Sequence, residues 1–323
     1  MHWPHKTLYN SQTGIALLIV IWLLTFLTVL VLSFSLMVRS EVYSTLSFKE
    51  EIENKLLAEA GIERGIMEIF YLNTNNKQNI ILEDMDVVKA DGREYFGHAG
   101  EGFYSFRIFD ESGKININSL SDGNRIIMNN LLVNYGLSVD EADSIIDSIL
   151  DWKDADELHR LNGAESDYYM SLPDSYRSKN SNFSTVEELL MVKGITPEIL
   201  FGDAKNSAGI IHLITVYSKA NKINLKTAPK VVLMAIPGFT DELADSIITL
   251  RDSGPDEIAT YLSSFLGTSY ELIAPYIDTK DSNIYTIEAK GYMKEKKINY
   301  AIRSTVIIER NNKYRVVYYK SPV

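Results

Sequence analysis

The densest run of chemically capable side chains lies between residues 147 and 169. There DSILDWKDADE (147–157) is followed by Arg160, Asn162, Gly163, Glu165, Asp167, Tyr168 and Tyr169. Asp151, Asp154 and Asp156 crowd hard oxygen ligands into one short stretch, and Glu165 offers a carboxylate from the start of the next helix. Calcium takes about six to eight such oxygens and tolerates irregular geometry, although this spacing is not the twelve-residue loop of an EF-hand. Spacing alone leaves a second reading open: a solvated acidic helix end, with Asp154 or Asp156 as an N-cap. A third reading is a metal-dependent hydrolase centred on Asp151, Asp154 and Asp156. It would also need basic side chains to hold a substrate, and those are sparse here. Arg160 fits best as a cation that holds the loop by pairing with a carboxylate.

Other catalytic chemistry finds little footing. Histidines stand at 2, 5, 98, 159 and 212, without an HExxH, a GxSxG or a phosphate-binding loop. The absence of cysteine excludes disulfides, thiolate zinc sites and cysteine nucleophiles. Against 43 acidic residues there are 32 basic ones, a net charge of −11 that disfavours nonspecific binding to DNA or anionic lipid. A hydrophobic fraction of 46% with 23% charged residues suits globular folding, and 323 residues suffice for two core-forming units.

The elements that would position the acidic cluster are helical. Residues 119–279 read as an all-helical insertion, with apolar spacing at Leu131, Leu132, Ala142, Ile145, Ile146 and Ile149, and again at Val186, Leu189, Leu190 and Val192. Strand patterns flank it. Gly102 to Phe109 alternates, Lys114 to Asn118 predicts a second strand, and 283–292, 299–309 and 313–319 are rich in Ile, Val, Thr and Tyr. Arg310 to Asn312 suits the turn of a hairpin, and Asn73 to Lys77 a loop. Together these predict an α+β fold: one antiparallel sheet, assembled from 39–118 and 280–323 and packed on the N-terminal helix, with the α-domain inserted.

That helix is the longest feature of the chain. From Ile15 to Val38 no residue is charged. As a helix this stretch is about 36 Å long, enough for a hydrocarbon core of about 30 Å. It is too long for the apolar part of a secretory signal, and no small-residue cleavage site follows it. The helical pattern continues from Arg39 to Leu72 without proline. Charge does not set the orientation. Lys6 alone precedes the span whereas Arg39, Lys49 and Lys55 follow it, so the positive-inside rule leans against a cytoplasmic N-terminus.

A short polar leader ending in Gly14, followed at once by Ile15 and an uncharged helix, resembles a type IV prepilin or type II secretion pseudopilin. The stretch LAEAGIERG (57–65) is similar to a segment of the K-type minor pseudopilin, also called general secretion pathway protein K. The pattern DWxDxD, RxxGAE and YY over 151–169 resembles the α-domain of that type. The resemblance implies a leader over 1–14, a transmembrane helix over 15–38, and cleavage between Gly14 and Ile15 by a prepilin peptidase, with methylation of the new terminus. It further implies a single pass through the inner membrane of a Gram-negative bacterium, the bulk in the periplasm, and I- and J-type minor pseudopilins as partners. The family usually carries Glu at the fifth mature position, where this chain has Ile19. A carboxylate in lipid is costly unless paired. Within the resemblance, its absence marks a subunit with none stacked above it, at the tip of a pseudopilus. The resemblance also favours calcium at the acidic cluster, as a structural ion, with Asp154, Asp156 and Glu165 the foremost ligands beside Asp151.

Three segments, around 113–119, 183–194 and 221–239, resemble helix–hairpin–helix units. Such units in DNA-binding proteins present hairpin amides to phosphate. The alternative they raise is a membrane-tethered DNA-binding protein of the competence type. Asp241, Glu242 and Asp245 directly after the Pro237–Gly238 turn would repel a phosphate backbone, so no nucleic-acid partner and no enzymatic activity are expected. Mass spectrometry of the protein from cells with an active prepilin peptidase should find a mature chain starting at Ile15. Retention of Met1 would remove the prepilin reading.

Overall fold

The structure is a computed structural model and describes residues 12–75, 88–203, 207–251, 255–293, 299–309 and 313–323. The expected leader before Gln12 and the expected turn at 310–312 lie outside the described residues. The first element, α1 (Gln12–Asn75), is one helix of 64 residues. It runs through the start of the loop expected at 73–77, and the end of that loop is not described. All side chains from Ile15 to Ile52 are exposed. Farther on, Ala58, Ile62, Ile66 and Ile69 are buried at three- and four-residue intervals, the spacing of one helix face. Ion pairs Lys49–Glu53, Lys55–Glu59 and Arg64–Glu68 run along the helix at i,i+4.

The buried face of α1 lies on a five-stranded sheet of β1 (Asp91–Ala99), β2 (Gly102–Asp110), β3 (Ile284–Tyr292), β4 (Asn299–Glu309) and β5 (Lys313–Lys320). Spatial order follows chain order and every neighbouring pair is antiparallel. Phe106, Ile108, Ile287, Ala289, Ile302 and Val306 share one apolar core with α1. Contact is close because glycine removes the intervening side chain. A Cβ on Gly291 would stand 2.0 Å from the Asn54 carbonyl oxygen and 2.4 Å from the Ala58 nitrogen. On the helix, a Cβ on Gly65 would stand 2.8 Å from Ile287 Cγ2.

Between β2 and β3 the chain builds a second core. Exit and return are side by side, since Asp110 pairs with Tyr285 across the two strands. The insertion holds α2 (Arg125–Asn134), α3 (Val139–Lys153), α4 (Ser166–Met170), α5 (Pro197–Phe201), α6 (Lys230–Ala235), α7 (Asp241–Leu250), α8 (Pro255–Leu266) and α9 (Tyr270–Ile273). Met128, Leu131, Leu132, Ile145, Ile146 and Ile149 are all buried in its centre, as the helical spacing predicts. A capping box starts α3: the Glu141 amide donates to Ser138 Oγ, and the Ser138 amide donates to the Glu141 carboxylate.

Two expectations change. Lys114–Asn118 does not join the main sheet. Ile115–Asn116 pairs in parallel with Ile214–Thr215 inside the insertion, and a 3₁₀ turn takes up Ile117–Ser119. The insertion is also not purely helical, because Ile223–Asn224 pairs with Ile277–Asp278 and Gly202–Asp203 with Ser207–Ala208. The pairings of Ile115 with Ile214 and of Ile223 with Ile277 are long-range contacts, which local alternation does not encode.

Gly291→Ala should lower the stability of the full chain in detergent by about 1–3 kcal/mol, the usual range for overpacking. Gly123→Ala, whose added Cβ would meet only Ser121 Oγ at 3.9 Å, should leave the melting temperature nearly unchanged.

Candidate metal centre

The last turns of α3 carry the first carboxylates. Asp147 and Asp151 are buried, and Trp152 anchors the turn by packing edge-on against Tyr169 at 5.1 Å and donating its indole N–H to Glu188 at 3.0 Å. Lys153 fixes the helix end from below by donating to the carbonyls of Ile117, Asn118 and Leu120. Asp154 is the residue that ends α3, so the expectation that it caps the start of a helix is corrected. The chain then loops back, and Glu165 precedes α4 without capping it.

This path brings one oxygen each of Asp151, Asp154 and Glu165 within 4.8 Å of one another. Asp156 lies outside that group, on an exposed stretch where its carboxylate accepts the Leu158 amide at 2.9 Å. Arg160 bridges two members of the cluster, donating to Asp151 at 2.8 Å and to Asp154 at 2.5 Å. The Arg160 amide also points at Asp151. Gly163 packs so tightly on Asp151 that a Cβ there would overlap its carboxylate.

Charge balance at the cluster is uneven. Burial raises the Asp151 carboxyl above the usual range, against the downward pull of the Arg160 hydrogen bonds. Glu165 is 1% exposed, and neither carboxylate oxygen has a hydrogen-bond partner. Burial, reinforced by the charges of Asp151, Asp154 and Glu157, pushes it up to about 7. Asp154 also has one buried oxygen without a partner. Three unsatisfied buried oxygens beside a third carboxylate are the donor set a hard divalent cation takes, and burying them otherwise costs stability. The residues therefore fit calcium, with Asp151, Asp154 and Glu165 at its centre.

The segments resembling helix–hairpin–helix units place glycine at turns between short helices. Gly194 and Gly238 both have positive φ, 86° and 81°, the first ahead of α5 and the second between α6 and α7. At the second turn Lys230 is engaged by Asp241 at 3.0 Å and by Asp245 at 2.7 Å. That cation is neutralised within the protein.

Residues 113–201 match the family described as type II secretion system (T2SS), protein K. A putative type II secretion system protein K of Escherichia coli (strain K12) is 25% identical over 59% of this chain and 60% of its own length. Type II secretion system protein K of Pectobacterium carotovorum subsp. carotovorum is 42% identical over 69 residues, 21% of each chain. The chain thus spans less than two thirds of the length of either relative. A chain in the crystal structure of the GspK–GspI–GspJ complex from enterotoxigenic Escherichia coli shares the fold. Its TM-score is 0.62 at 13% identity, over 86% of this chain and 99% of that one.

Glu165 predicts a pH response. Its folded value of about 7 exceeds the ordinary 4.5, so folding favours the protonated form. Stability from this group is complete below about pH 4.5 and declines as pH rises towards 7 and beyond, by about 3 kcal/mol at most. In chelator, Glu165→Gln should flatten that decline and raise the melting temperature at pH 8.

The matched segment and the sequence relatives make this chain similar to protein K of the type II secretion system, and the solved structure shows that it shares that chain's fold.

Proposed function

We propose that the protein is a minor pseudopilin of the type II secretion system, seated at the tip of a periplasmic pseudopilus and nucleating its assembly. The single observation that carries this reading is the undivided α1. Its first 38 side chains beyond Gly14 are all exposed, and the same helix continues into a sheet that bears a protein K insertion. An exposed apolar helix of this length needs lipid or other helices around it. The work of such a subunit is architectural. Ile19 in place of the usual Glu supports the tip position, and I- and J-type pseudopilins are the partners, in keeping with the complex whose chain shares this fold. Cleavage after Gly14 and orientation with the bulk in the periplasm belong to the same reading.

Within it, calcium is a structural ion of the insertion. Asp151, Asp154 and Glu165 would hold it, fixing the α3–α4 loop by neutralising carboxylates that burial disfavours. Asp156 would serve only from the periphery. Arg160 competes with the ion for Asp151 and Asp154, so its side chain must yield at least part of that contact.

Co-expressed with I- and J-type pseudopilins, the full chain should purify as a complex from detergent extracts. Isolation of the chain alone under conditions where the other two associate would count against the tip assignment. Calcium should raise the melting temperature relative to chelator, as a ligand of the folded state must. Asp154→Ala with Glu165→Ala should abolish the shift, and no calcium effect on the parent would remove the ion.

A further inference from the structure

The apolar cores of the sheet and of the insertion are two separate clusters, and the seam between them combines polar groups with two ring contacts, His212 on Phe109 at 6.1 Å and Tyr217 on Tyr318 at 5.9 Å. At one end, where the chain leaves and re-enters the sheet, Asp110 is 2% exposed and gathers three segments. It accepts from the Ser112 amide at 2.9 Å, from Asn224 Nδ2 at 3.1 Å and from the Ser282 hydroxyl. In the middle, Glu288 on β3 meets Arg303 on β4 at 2.8 Å and His212 of the insertion at 3.3 Å. At the far end, Glu187 of the insertion accepts from the Tyr318 hydroxyl of β5 and lies 3.7 Å from Lys320.

These contacts differ in kind. The Asp110 knot is buried and tied to both crossing strands, which are neighbours in the sheet. The Glu187 contacts are partly exposed, with Lys320 42% accessible. Ion pairs of that exposure are weak and screened by salt. An interface that joins two separate cores through polar groups and a few ring contacts permits relative movement of the units it joins. Burial acts to raise Glu288, yet His212, Arg303 and Lys114 hold it down at about 2, so the central group is fully ionised at neutral pH. Glu111 and Lys114, paired at 2.5 Å, are the remaining charges at that point.

We propose that the insertion is hinged on the sheet: the knot at Asp110 is the pivot, and the Glu187 contacts with Tyr318 and Lys320 are a latch that opens without unfolding either core. Opening swings the β5 side of the insertion away from the sheet and exposes Glu187, Tyr318 and the Glu288–Arg303 pair. The movement follows from the attachment, because two adjacent strands define one axis.

The chain has no cysteine, so a pair of nitroxide labels can be placed without altering a native thiol. Leu272→Cys on α9 and Val316→Cys on β5, both exposed, would report the distance across the joint in the full chain in detergent. At low salt a single narrow distribution is expected. Glu187→Gln with Tyr318→Phe should add a second, longer population, and so should about 1 M salt on the labelled parent, where the screening length is about 3 Å. Hydrogen exchange should rise at least tenfold around 187 and 318–320 while α3 and β3 stay protected. One narrow distribution under every condition would overturn the hinge. A longer population accompanied by lost protection in α3 or β3 would overturn it as well, since that is unfolding.

Discussion

One helix here must satisfy two surroundings. From Ile15 to Ile52 the side chains of α1 are exposed, and up to Val38 they are uncharged and mostly aliphatic or aromatic. Over its second half it is the floor of a core. The backbone hydrogen bonds of a helix are internal, so one conformation serves both the stretch without partners in the protein and the stretch buried in its core, and a single strand could not do so without leaving polar groups unpaired. Sheet and helix adapt to each other, since Gly61 and Gly65 on the helix also make room for Ala289 and Ile287 of the sheet. On the sheet, Gly291 lets backbone approach the backbone of Asn54 and Ala58, and Gly102 leaves room for the Leu57 side chain. The first turn of contact between helix and sheet therefore depends on missing side chains as much as on present ones.

The insertion follows a different logic. Its helices are short, between four and fifteen residues, and isolated helices of such length do not persist in water. They are held by a shared aliphatic centre and by a ring cluster around Trp152, which also stiffens the end of α3. The carboxylates sit where that stiff element ends. Because Trp152 and Lys153 fix the backbone from both sides, Asp151 cannot turn away from Asp154 and Glu165 to find water. Crowded like charges in a buried place are a cost that the rest of the domain carries, and a divalent ion is the simplest agent that turns the cost into a gain.

Much of this was legible beforehand, for physical reasons that differ between elements. The uncharged stretch from Ile15 to Val38, the continuation of α1 and strands β2 to β5 have strong patterns of their own, so their residues announce them. β1 does not: DGREYFGHA mixes charge with two glycines, and it is a strand only because β2 pairs with it. The same holds for Ile115–Asn116, which looks like a sheet strand and instead joins the insertion through a partner about a hundred residues away. At the site, Asp151, Asp154 and Glu165 were legible as a group in the sequence, and Asp156 is the one expected member that the structure places outside it. Asp156 has the right type and spacing yet faces the backbone of Leu158, while Asp147 and Asp151 are drawn inward by the turn of α3. Only the path of the loop decides which oxygens converge.

The side-by-side departure and return of the chain has an architectural meaning. Since Asp110 and Tyr285 are register partners on adjacent antiparallel strands, the whole second domain occupies the place of a hairpin turn. Everything between them is, to the sheet, a loop of unusual size. The strand order and register of the five-stranded meander on its helix need nothing from the insertion, which is joined to them at a single turn. The insertion adds surface there without disturbing a strand order, a register or the packing of α1.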